Sequence, residues 1–303
     1  AAAQPDAVIL EVGLGGRLDA TNLYDADCAV VTTVDLDHMD FLGPTREHIG
    51  REKAGICRPG RPLVCGDAAA PQALIEVCRS VGADLHSLGR DFGFLRQEGQ
   101  WRYWSRQGRN LGGLAHPALR GDSQLVNAAC AIAALDCLAA RLPVTAQDIR
   151  SGLAEVAIPG RFQVLPGRPQ IILDVAHNPQ AARELARTLD AMGRASVVWA
   201  VFGMMADKDI AAVLAALRGR VDRWLPCDLP GLRAAPATRL AALICAVGAG
   251  ETAGCFPTPA AALSHALENA GGDDRILIFG SFLTVAGAMC CLGLGGVRHD
   301  ARG

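Results

Sequence analysis

The chain has 303 residues, half of them hydrophobic, and a formal net charge of −2. This length is enough for about two domains with sizeable cores. The near-neutral charge excludes a general nucleic-acid surface, which needs a clear excess of basic residues. We therefore expect a soluble globular protein without a general nucleic-acid surface.

Eleven cysteines are scattered along the chain without any CxxC pair. This pattern indicates the reduced thiols of a cytoplasmic protein, mostly buried as small hydrophobic side chains, and it offers no paired ligands for zinc. Residues 276–297 carry no charge and are long enough to span a bilayer. Their glycines and hydroxyl side chains instead predict a strand, a turn and a small-residue helix in a buried βα unit.

In the first half of the chain, apolar strand-like runs alternate with amphipathic stretches. Strands are predicted at residues 8–12, 28–34 and 62–65, and helices at residues 45–57 and 71–81. This alternation predicts a mostly parallel sheet covered by helices. Residues 92–119 differ, because their aromatics, glycines and alternating polar residues predict antiparallel hairpins.

Two further helices are predicted at residues 122–140 and 145–156, before residues 158–161 (IPGR) break the pattern. We place the domain boundary there, between residues 1–157 and residues 158–303. The alternation then restarts and predicts a second α/β domain. Its strands are predicted at residues 171–175, 196–202, 223–225 and 276–279, and its helices at residues 180–192, 209–217 and 237–247.

Polar side chains stand at two predicted strand ends of the first domain. Glu11 closes the first strand, and His38 follows the second within the acidic run DLDHMD. The carboxyl edge of a parallel sheet is a common place for a metal or anion site, although both residues also fit ordinary solvated positions. One carboxylate and one imidazole are few ligands for Mg²⁺, so bound phosphates would have to complete such a site.

Lys53 lies among apolar residues on a predicted helix, and two interpretations stay open for it. It is either a surface lysine paired with Glu47 or Glu52, or a partly buried amine with a lowered pKa. A neutral amine can react with carbon dioxide to give a carbamate, which replaces a cation by a carboxylate-like metal ligand.

In the second domain, residues 173–179 (LDVAHNP) close a strand and open a helix. We predict Asn178 as the helix N-cap and Pro179 in the first turn, and a helix start of this kind favours anions. Arg161 is a candidate phosphate contact, although a surface arginine is the simpler interpretation. Residues 202–209 (FGMMADKD) have the same strand–loop–helix form, although an ordinary polar connection is the simpler interpretation.

Two nucleotide-binding motifs are incomplete or missing. Residues 13–16 (GLGG) resemble a dinucleotide fingerprint, but Leu18 stands where the third glycine belongs, which argues against a dehydrogenase. A GxxxxGK[ST] phosphate loop does not occur in the sequence.

Taken together, six segments resemble the folylpolyglutamate synthase/dihydrofolate synthase family of the Mur-ligase superfamily. They are EVGLGGRLDATN (11–22), LDHMDFLG (36–43), REKAGI (51–56), PGRF (159–162), LDVAHNP (173–179) and FGMMADKD (202–209). The resemblance implies a partial Mur-ligase-type central ATPase domain followed by a Rossmann-like α/β C-terminal domain. It also implies an enzyme that phosphorylates a carboxylate with ATP, after which the amine of L-glutamate attacks the acyl phosphate. The acid would be dihydropteroate, folate or a glutamyl tail.

The resemblance implies roles for single residues of the first domain, with ATP, Mg²⁺ and a monovalent cation as cofactors. Glu11 and His38 match the family's magnesium ligands, and Lys53 matches its carbamylated lysine. The loop that holds dihydropteroate is matched by Leu18, Asp19 and Ala20. An aspartate at that place can pair with the donor edge of the pterin.

The remaining implied roles concern ATP and glutamate. ATP contacts are implied at Asn127 in the first domain, and at Arg161 and Asp174 in the second. His177 is implied beside the nucleotide, with a catalytic role. Glutamate binding is implied for Lys208 and Ser281.

The sequence departs from the family at its front. Family members carry a phosphate-binding glycine loop and a magnesium-binding serine ahead of the EVGLGG segment, and these 303 residues contain neither. We therefore expect this chain by itself to bind ATP poorly. A peptidoglycan Mur-type amide ligase and a folded non-catalytic fragment are the alternatives. Family resemblance implies a monomer.

Overall fold

The computed structural model describes residues 5–119 and 121–294. The chain forms two compact units divided between Val156 and Ala157, and the short segment Leu119–Asp122 groups with the second unit. Each unit has hydrophobic clusters of its own. The assignment of an ATP-binding domain to residues 1–157 and a ligase domain to residues 158–303 stays a prediction.

The first unit contains a small parallel sheet. Its strands, in spatial order, are β1 (Ala29–Val31), β2 (Pro62–Cys65) and β3 (Asp84–Ser87). The connections contain α1 (Met39–Leu42), α2 (Arg46–Ala54) and α3 (Gln72–Val81). The predicted strand at residues 62–65 is confirmed with the same bounds, and the elements predicted at residues 28–34, 45–57 and 71–81 are confirmed with shorter bounds. Strand β3 escaped prediction because it is short and mostly polar (DLHS).

The predicted strand at residues 8–12 is wrong. This segment has no regular secondary structure, and Val8 and Ile9 are 69% and 95% exposed. A strand needs a neighbour to bond its N–H and C=O groups, and in the described sheet β1 pairs only with β2. Glu11 therefore lies in an exposed segment and not at the end of a buried strand.

The rest of the first unit packs an antiparallel sheet against helices. The three strands are β4 (Phe92–Gln97), β5 (Gln100–Ser105) and β6 (Asn110–Ala115), which confirms the predicted hairpins. Helices α4 (Asp122–Cys137) and α5 (Ala146–Glu155) follow. Trp101 and Tyr103 of β5 are fully buried in the shared core.

The second unit is built on a six-stranded sheet in the order β11-β10-β9-β12-β8-β7. All pairs are parallel except β7 with β8. The strands are β7 (Gln163–Leu165), β8 (Gln170–Leu173), β9 (Val198–Phe202), β10 (Arg223–Pro226), β11 (Glu251–Thr252) and β12 (Arg275–Phe279). The helices are α6 (Pro179–Ala191), α7 (Ile210–Ala216), α8 (Ala237–Ala246), α9 (Pro259–Asn269) and α10 (Phe282–Cys291). The predicted second α/β domain is confirmed, whereas β7, β11 and α9 were not predicted.

Both faces of this sheet are covered, as β12 illustrates. Leu277 and Phe279 belong to one hydrophobic cluster, and Ile276 and Ile278 belong to the other. Parallel strands buried on both faces are nearly continuous apolar runs, so polar side chains are left for the strand ends. Residues 275–291 form a strand, a turn and a helix as predicted, and no helix in the described ranges is long and apolar enough to cross a bilayer.

All eleven cysteines are free thiols. Five are buried, two are half-buried and four are exposed. The prediction that most of the cysteines are buried therefore holds for fewer than half of them.

Candidate functional site

Two sequence motifs of the first unit, GLGGRLDATN and REKAGI, contact each other. The backbone N–H of Arg17 donates to the carbonyl of Glu52 at 2.9 Å. The guanidinium Nε and Nη2 of Arg17 each lie 3.0 Å from Oε1 of Glu52. Asn22 Nδ2 donates to the carbonyl of Gly55 at 3.1 Å. The loop of residues 13–22 is thereby attached to the C-terminal end of α2, on either side of Lys53.

Glycines make this close attachment possible. A Cβ on Gly16 would lie 3.0 Å from the carbonyl oxygen of Glu52 and 3.1 Å from that of Lys53. A Cβ on Gly55 would lie 2.5 Å from Cβ of Arg17, closer than real side chains approach. The glycines of both motifs therefore serve backbone packing between the loop and the helix.

The amine of Lys53 is partly buried, which was one of the two interpretations that the sequence left open. Burial lowers the pKa of Lys53, and the negative charge of Asp37 opposes this only in part. Glu47 and Glu52, the two acids proposed as surface partners of Lys53, both bind other groups. Glu52 binds Arg17, and the Glu47 carboxylate accepts the first backbone N–H groups of α3 at 2.7 and 3.2 Å.

His38 precedes α1 in a left-handed backbone conformation, with φ 50° and ψ 41°. For a residue with a side chain this conformation costs about 1 kcal/mol, and such strain concentrates at functional positions. Its backbone N–H donates to Asp37 Oδ1 at 2.8 Å, and its Nε2 lies 3.8 Å from the same oxygen. Because Asp37 also interacts with Lys53, the structure brings these three side chains into one region.

An ion pair between the buried Asp67 carboxylate and the more exposed Arg46 holds the start of the His38 segment. Asp67 Oδ2 accepts the backbone N–H of Val34 at 2.9 Å and Nη2 of Arg46 at 2.8 Å. Arg46 Nε also donates to the carbonyl of Val34 at 2.8 Å. Sequence reasoning missed both residues, because no local pattern links positions 21 residues apart.

Asp19 is fully engaged by its own loop. Its carboxylate accepts the backbone N–H groups of Gly13, Leu14 and Thr21 at 2.9–3.0 Å, and the Thr21 hydroxyl at 2.7 Å. The hydrogen bonds from Thr21 and then from the loop lower the pKa of Asp19 to about 2. A carboxylate has about four acceptor positions, so this geometry makes Asp19 an organiser of the loop. Its contact with a pterin stays a prediction, as do the roles of Leu18 and Ala20, which are exposed.

The proposed metal ligands do not form a complete site by themselves. Among the described residues, no group of three His, Cys, Asp or Glu side chains is arranged to hold a metal ion. Glu11 supplies one carboxylate, His38 one imidazole, and Lys53 an oxygen pair only when carbamylated. This set fits Mg²⁺ that keeps water and phosphate ligands, because Mg²⁺ rarely takes an all-protein shell. Asn127 lies exposed on α4, with Nδ2 3.2 Å from Gln124 Oε1.

In the second unit, the predicted residues follow the carboxyl ends of three adjacent strands, β8, β12 and β9. Asp174 follows β8, Ser281 comes two residues after β12, and Lys208 lies in the loop after β9. The strand ends pack closely, since a Cβ on Gly280 would lie 2.6 Å from the carbonyl oxygen of Gly203. The sheet itself therefore collects these positions at one edge.

Asp174 connects the PGRF and LDVAHNP motifs through hydrogen bonds to backbone N–H groups. Its carboxylate accepts the backbone N–H of Phe162 at 2.9 Å and that of Ala176 at 2.7 Å, and Val175 N–H donates to the carbonyl of Gly160 at 2.8 Å. Burial raises the pKa of Asp174 despite these hydrogen bonds and the positive charge of Arg161. The structure thus places Arg161 near Asp174, and the ATP-binding roles of both residues stay predictions.

His177 and the helix behind it have a defined arrangement. His177 Nδ1 lies 2.9 Å from the carbonyl oxygen of Val175. Because a carbonyl only accepts, Nδ1 carries the proton in this contact, and Nε2 is left as the acceptor of the neutral ring. Asn178 Oδ1 accepts the N–H of Ala181 at 2.9 Å and Pro179 begins α6, which confirms the predicted cap.

Ser281 and Lys208 are held by local bonds. Ser281 is 7% exposed, and its Oγ accepts the N–H of Leu283 at 3.1 Å as the N-cap of α10. The N–H of Lys208 donates to the carbonyl of Met205 at 3.3 Å, in a loop that pairs with residues 233–235. The glutamate-binding roles of both residues stay predictions.

Comparisons with known proteins agree with this architecture. Residues 160–282 match the family described as Mur ligase, glutamate ligase domain. The chain is 44% identical over 287 residues to the dihydrofolate synthase/folylpolyglutamate synthase of Escherichia coli K12. The match covers 95% of this chain and 65% of the relative. It is 36% identical to that of Haemophilus influenzae, over 94% of this chain and 68% of the relative.

A solved structure supports the fold as well. The bifunctional folylpolyglutamate synthase/dihydrofolate synthase of Yersinia pestis, complexed with AMPPNP and a Mn ion, matches with a TM-score of 0.83 and 43% identity. The match covers 93% of this chain and 65% of that chain. Fold and sheet-edge site together define a Mur-ligase-type protein with a glutamate ligase domain.

The chain belongs to the dihydrofolate synthase/folylpolyglutamate synthase family. It spans 65% of the length of the E. coli relative. The resemblance drawn from the six sequence segments is confirmed.

Proposed function

We propose that the chain acts as an ATP-dependent ligase that joins L-glutamate to dihydropteroate or to a folate polyglutamate through an acyl phosphate. Family membership over 94–95% of the chain carries this proposal, since the relatives bear the names of both synthase activities. ATP and Mg²⁺ as cofactors are supported by the Yersinia complex with AMPPNP and a Mn ion. We further propose a cytoplasmic monomer whose partners are these small molecules.

Lys53 is the first residue to which the proposal gives a task. Its amine is a better nucleophile for carbon dioxide when neutral, and burial favours the neutral form more than Asp37 opposes it. The amine nitrogen forms a bond to the carbon of CO₂ and loses a proton, which leaves a carbamate anion. With Glu11 and His38, this anion would hold Mg²⁺, which when bound neutralises phosphate charge and polarises the reacting oxygens.

The second unit supplies groups for the nucleotide and for the proton. The fixed positive charge of Arg161 suits a phosphate, and Asp174 holds the Arg161 loop through the N–H of Phe162. The attacking amine must lose a proton when it forms the amide. His177 Nε2 is the acceptor available for it, because Nδ1 is engaged with Val175.

Product analysis tests the activity. The chain is incubated at high concentration with Mg-ATP, L-glutamate and either dihydropteroate or a UDP-muramyl peptide, and products are measured by mass spectrometry. We expect slow formation of dihydrofolate and ADP, dependent on glutamate. Ligation of the muramyl substrate alone would contradict the folate assignment. Absence of any ligated product would favour the non-catalytic fragment.

Carbon NMR tests the carbamate separately from turnover. In ¹³C-bicarbonate, the wild-type chain should give a carbamate resonance that Lys53→Arg lacks. Lys208→Arg is the matched control, because it changes a lysine of the other unit and should keep the signal. A carbamate signal that survives in Lys53→Arg, or no signal in the wild type, would rule out Lys53 as the modified residue.

A further inference from the structure

A second group of reactive side chains lies in the first unit, on elements not used above. Cys28 directly precedes β1, Cys137 is the last residue of α4, and Asp84 and His86 stand on the same face of β3. Both cysteines are half-buried. The sequence offered no sign of this cluster, because its members come from three separate elements.

The four side chains form a connected chain of contacts. Asp84 Oδ2 and His86 Nε2 lie 2.9 Å apart, with His86 16% exposed and Asp84 67% exposed. His86 and Cys137 line the same cavity, and Cys137 interacts electrostatically with both His86 and Cys28. An oriented imidazole beside one thiol, with a second thiol in contact, is the arrangement that activates a sulfur nucleophile.

A cavity of about 100 Å³ opens beside Cys137. Its lining includes His86, Asp91, Tyr103, Arg106, Asp136 and Cys137. This volume holds a small reagent of a few heavy atoms, but not a nucleotide or a pterin. A small oxidant of a few heavy atoms therefore fits this cavity, whereas larger substrates do not.

The other acids of the cavity are already paired. Asp91 binds Arg106 at 3.4 Å, and Asp136 binds Arg109 at 2.9 Å and the Tyr103 hydroxyl at 2.7 Å. Their negative charges are thereby balanced locally. Cys28 and His86 are consequently the groups that favour negative charge on Cys137.

Electrostatics supports a thiolate at Cys137. Its hydrogen bond with Cys28, and then the one with His86, lower the pKa of Cys137 to about 5 against the opposing effect of burial. The contact with Cys137 raises the pKa of His86 to about 9 and also raises the pKa of Cys28. These interactions therefore favour the thiolate form of Cys137 and the imidazolium form of His86.

A metal centre is a weaker explanation of the same residues. The part of the chain that the structure describes holds no group of three His, Cys, Asp or Glu side chains with metal-binding geometry.

We propose that Cys137 is a modification site for small hydroperoxides, with Cys28 as the resolving thiol. The thiolate sulfur attacks one peroxide oxygen, an S–O bond forms, the O–O bond breaks, and the leaving alkoxide or hydroxide takes up a proton. Sulfur is oxidised to the sulfenic acid and the peroxide is reduced to alcohol or water. This proposal is independent of the ligase activity.

The second step closes a disulfide. Cys137 no longer carries a thiolate, so the main cause of the raised pKa of Cys28 is removed and its thiol ionises more easily. The Cys28 sulfur then bonds to the Cys137 sulfur, the S–O bond breaks, and hydroxide leaves with the thiol proton as water. The disulfide links the start of β1 to the end of α4.

Peptide mapping tests the product. The reduced, folded chain is treated with one equivalent of hydrogen peroxide at pH 7, alkylated, digested and analysed by mass spectrometry. We expect one linked peptide pair containing Cys28 and Cys137. In Cys28→Ser, dimedone should instead trap a sulfenic acid at Cys137. Oxidation of the exposed Cys245 or Cys255 before Cys137 would overturn the proposal.

Labelling kinetics test the thiolate without relying on a variant. At pH 6 an ordinary thiol is about 0.3% ionised, whereas a thiol with a pKa near 5 is about 90% ionised. After allowance for the weaker nucleophilicity of a low-pKa thiolate, we expect iodoacetamide to label Cys137 about tenfold faster than the exposed Cys245. The ratio should fall towards or below one at pH 9. Equal rates at pH 6 would contradict the proposal.

Two variants separate the imidazole from a general structural effect. His86→Gln should reduce the labelling rate of Cys137 at pH 6 about tenfold. Cys245→Ser, on α8 of the other unit, is the matched control and should leave that rate unchanged. If His86→Gln loses its circular dichroism spectrum, the pH profile of the wild type still decides the question.

Discussion

Two aspartates, one in each unit, show how differently the two candidate sites are built. Asp19 and Asp174 each accept backbone N–H groups at 2.7–3.0 Å. The pKa of Asp19 is nevertheless lowered to about 2, whereas the pKa of Asp174 is raised. Hydrogen bonds dominate where the carboxylate stays in contact with water, and desolvation dominates where it does not.

The two regions differ in support as well as in exposure. The loop of residues 13–22 is held by individual hydrogen bonds and by one ion pair to the end of α2. The strand ends of the second unit are held by a six-stranded sheet with both faces covered. A local change should therefore release the loop alone in the first region, but should weaken the whole unit in the second.

The largest effect should come from the second unit. Gly280 has a φ of 107°, in the left-handed region that disfavours residues with a side chain. A Cβ added there would also lie 2.6 Å from the carbonyl oxygen of Gly203. We expect Gly280→Ala to lower the free energy of unfolding of this unit by about 3 kcal/mol. Urea titration followed by hydrogen-exchange mass spectrometry measures each unit separately.

Gly248→Ala is the control for that substitution. Gly248 has a φ of 60° but no heavy atom within 4 Å of the added Cβ, so only backbone strain of about 1 kcal/mol applies. Equal losses in the two variants would show that the contact with Gly203 contributes nothing.

A smaller and more local effect is expected at Gly55. Its φ of −62° accepts any residue, but an added Cβ would lie 2.5 Å from Cβ of Arg17. Gly55→Ala should cost about 1–2 kcal/mol and expose residues 13–22 to hydrogen exchange, while the second unit keeps its stability. Gly152→Ala on α5, where space is open, should be neutral or slightly stabilising. Loss of exchange protection across the whole first unit would contradict a loop-limited effect.

The pH dependence of the loop follows from Asp19. Its folded pKa is lowered from 3.8 to about 2, so its ionisation stabilises the loop fully above about pH 4. This contribution is lost as the pH falls from about 4 towards 2. NMR titration of the Asp19 carboxyl carbon should give a pKa near 2.

Thr21 variants test the assigned cause. Thr21→Ala removes the hydroxyl donor and should raise the pKa of Asp19 towards its ordinary value, while Thr21→Ser keeps the donor and should not. An unchanged titration in Thr21→Ala would mean that the backbone donors alone set the pKa.

The smallest effect is expected for the ion pair between Arg17 and Glu52. Arg17 is about half exposed, so the pair contributes less than about 1 kcal/mol. Arg17→Ala should therefore leave global unfolding almost unchanged and speed exchange in the loop a few-fold. Arg168→Ala breaks the exposed pair with Asp273 and should change neither quantity. A loss of several kcal/mol in Arg17→Ala would place the loop in the cooperative core of the unit.

Local patterns predicted much of this molecule. The helix start at Asn178 and Pro179 was predicted because a cap depends on four neighbouring residues. The hairpins of residues 92–115 were predicted because alternation and turn glycines are also local. The strand at residues 8–12 was mispredicted, since an apolar run becomes a strand only when a neighbour bonds its backbone.

The sequence by itself determined the family, the α/β class and the positions of the candidate residues, because motifs, periodicity and caps are encoded over short distances. Only the tertiary structure decided how those residues are used. The Asp19 carboxylate accepts hydrogen bonds from its own loop, and Glu52 binds Arg17, 35 residues away. His86 and Cys137, from separate elements, line one cavity. Pairing and desolvation depend on three-dimensional distance and burial, which no local pattern contains.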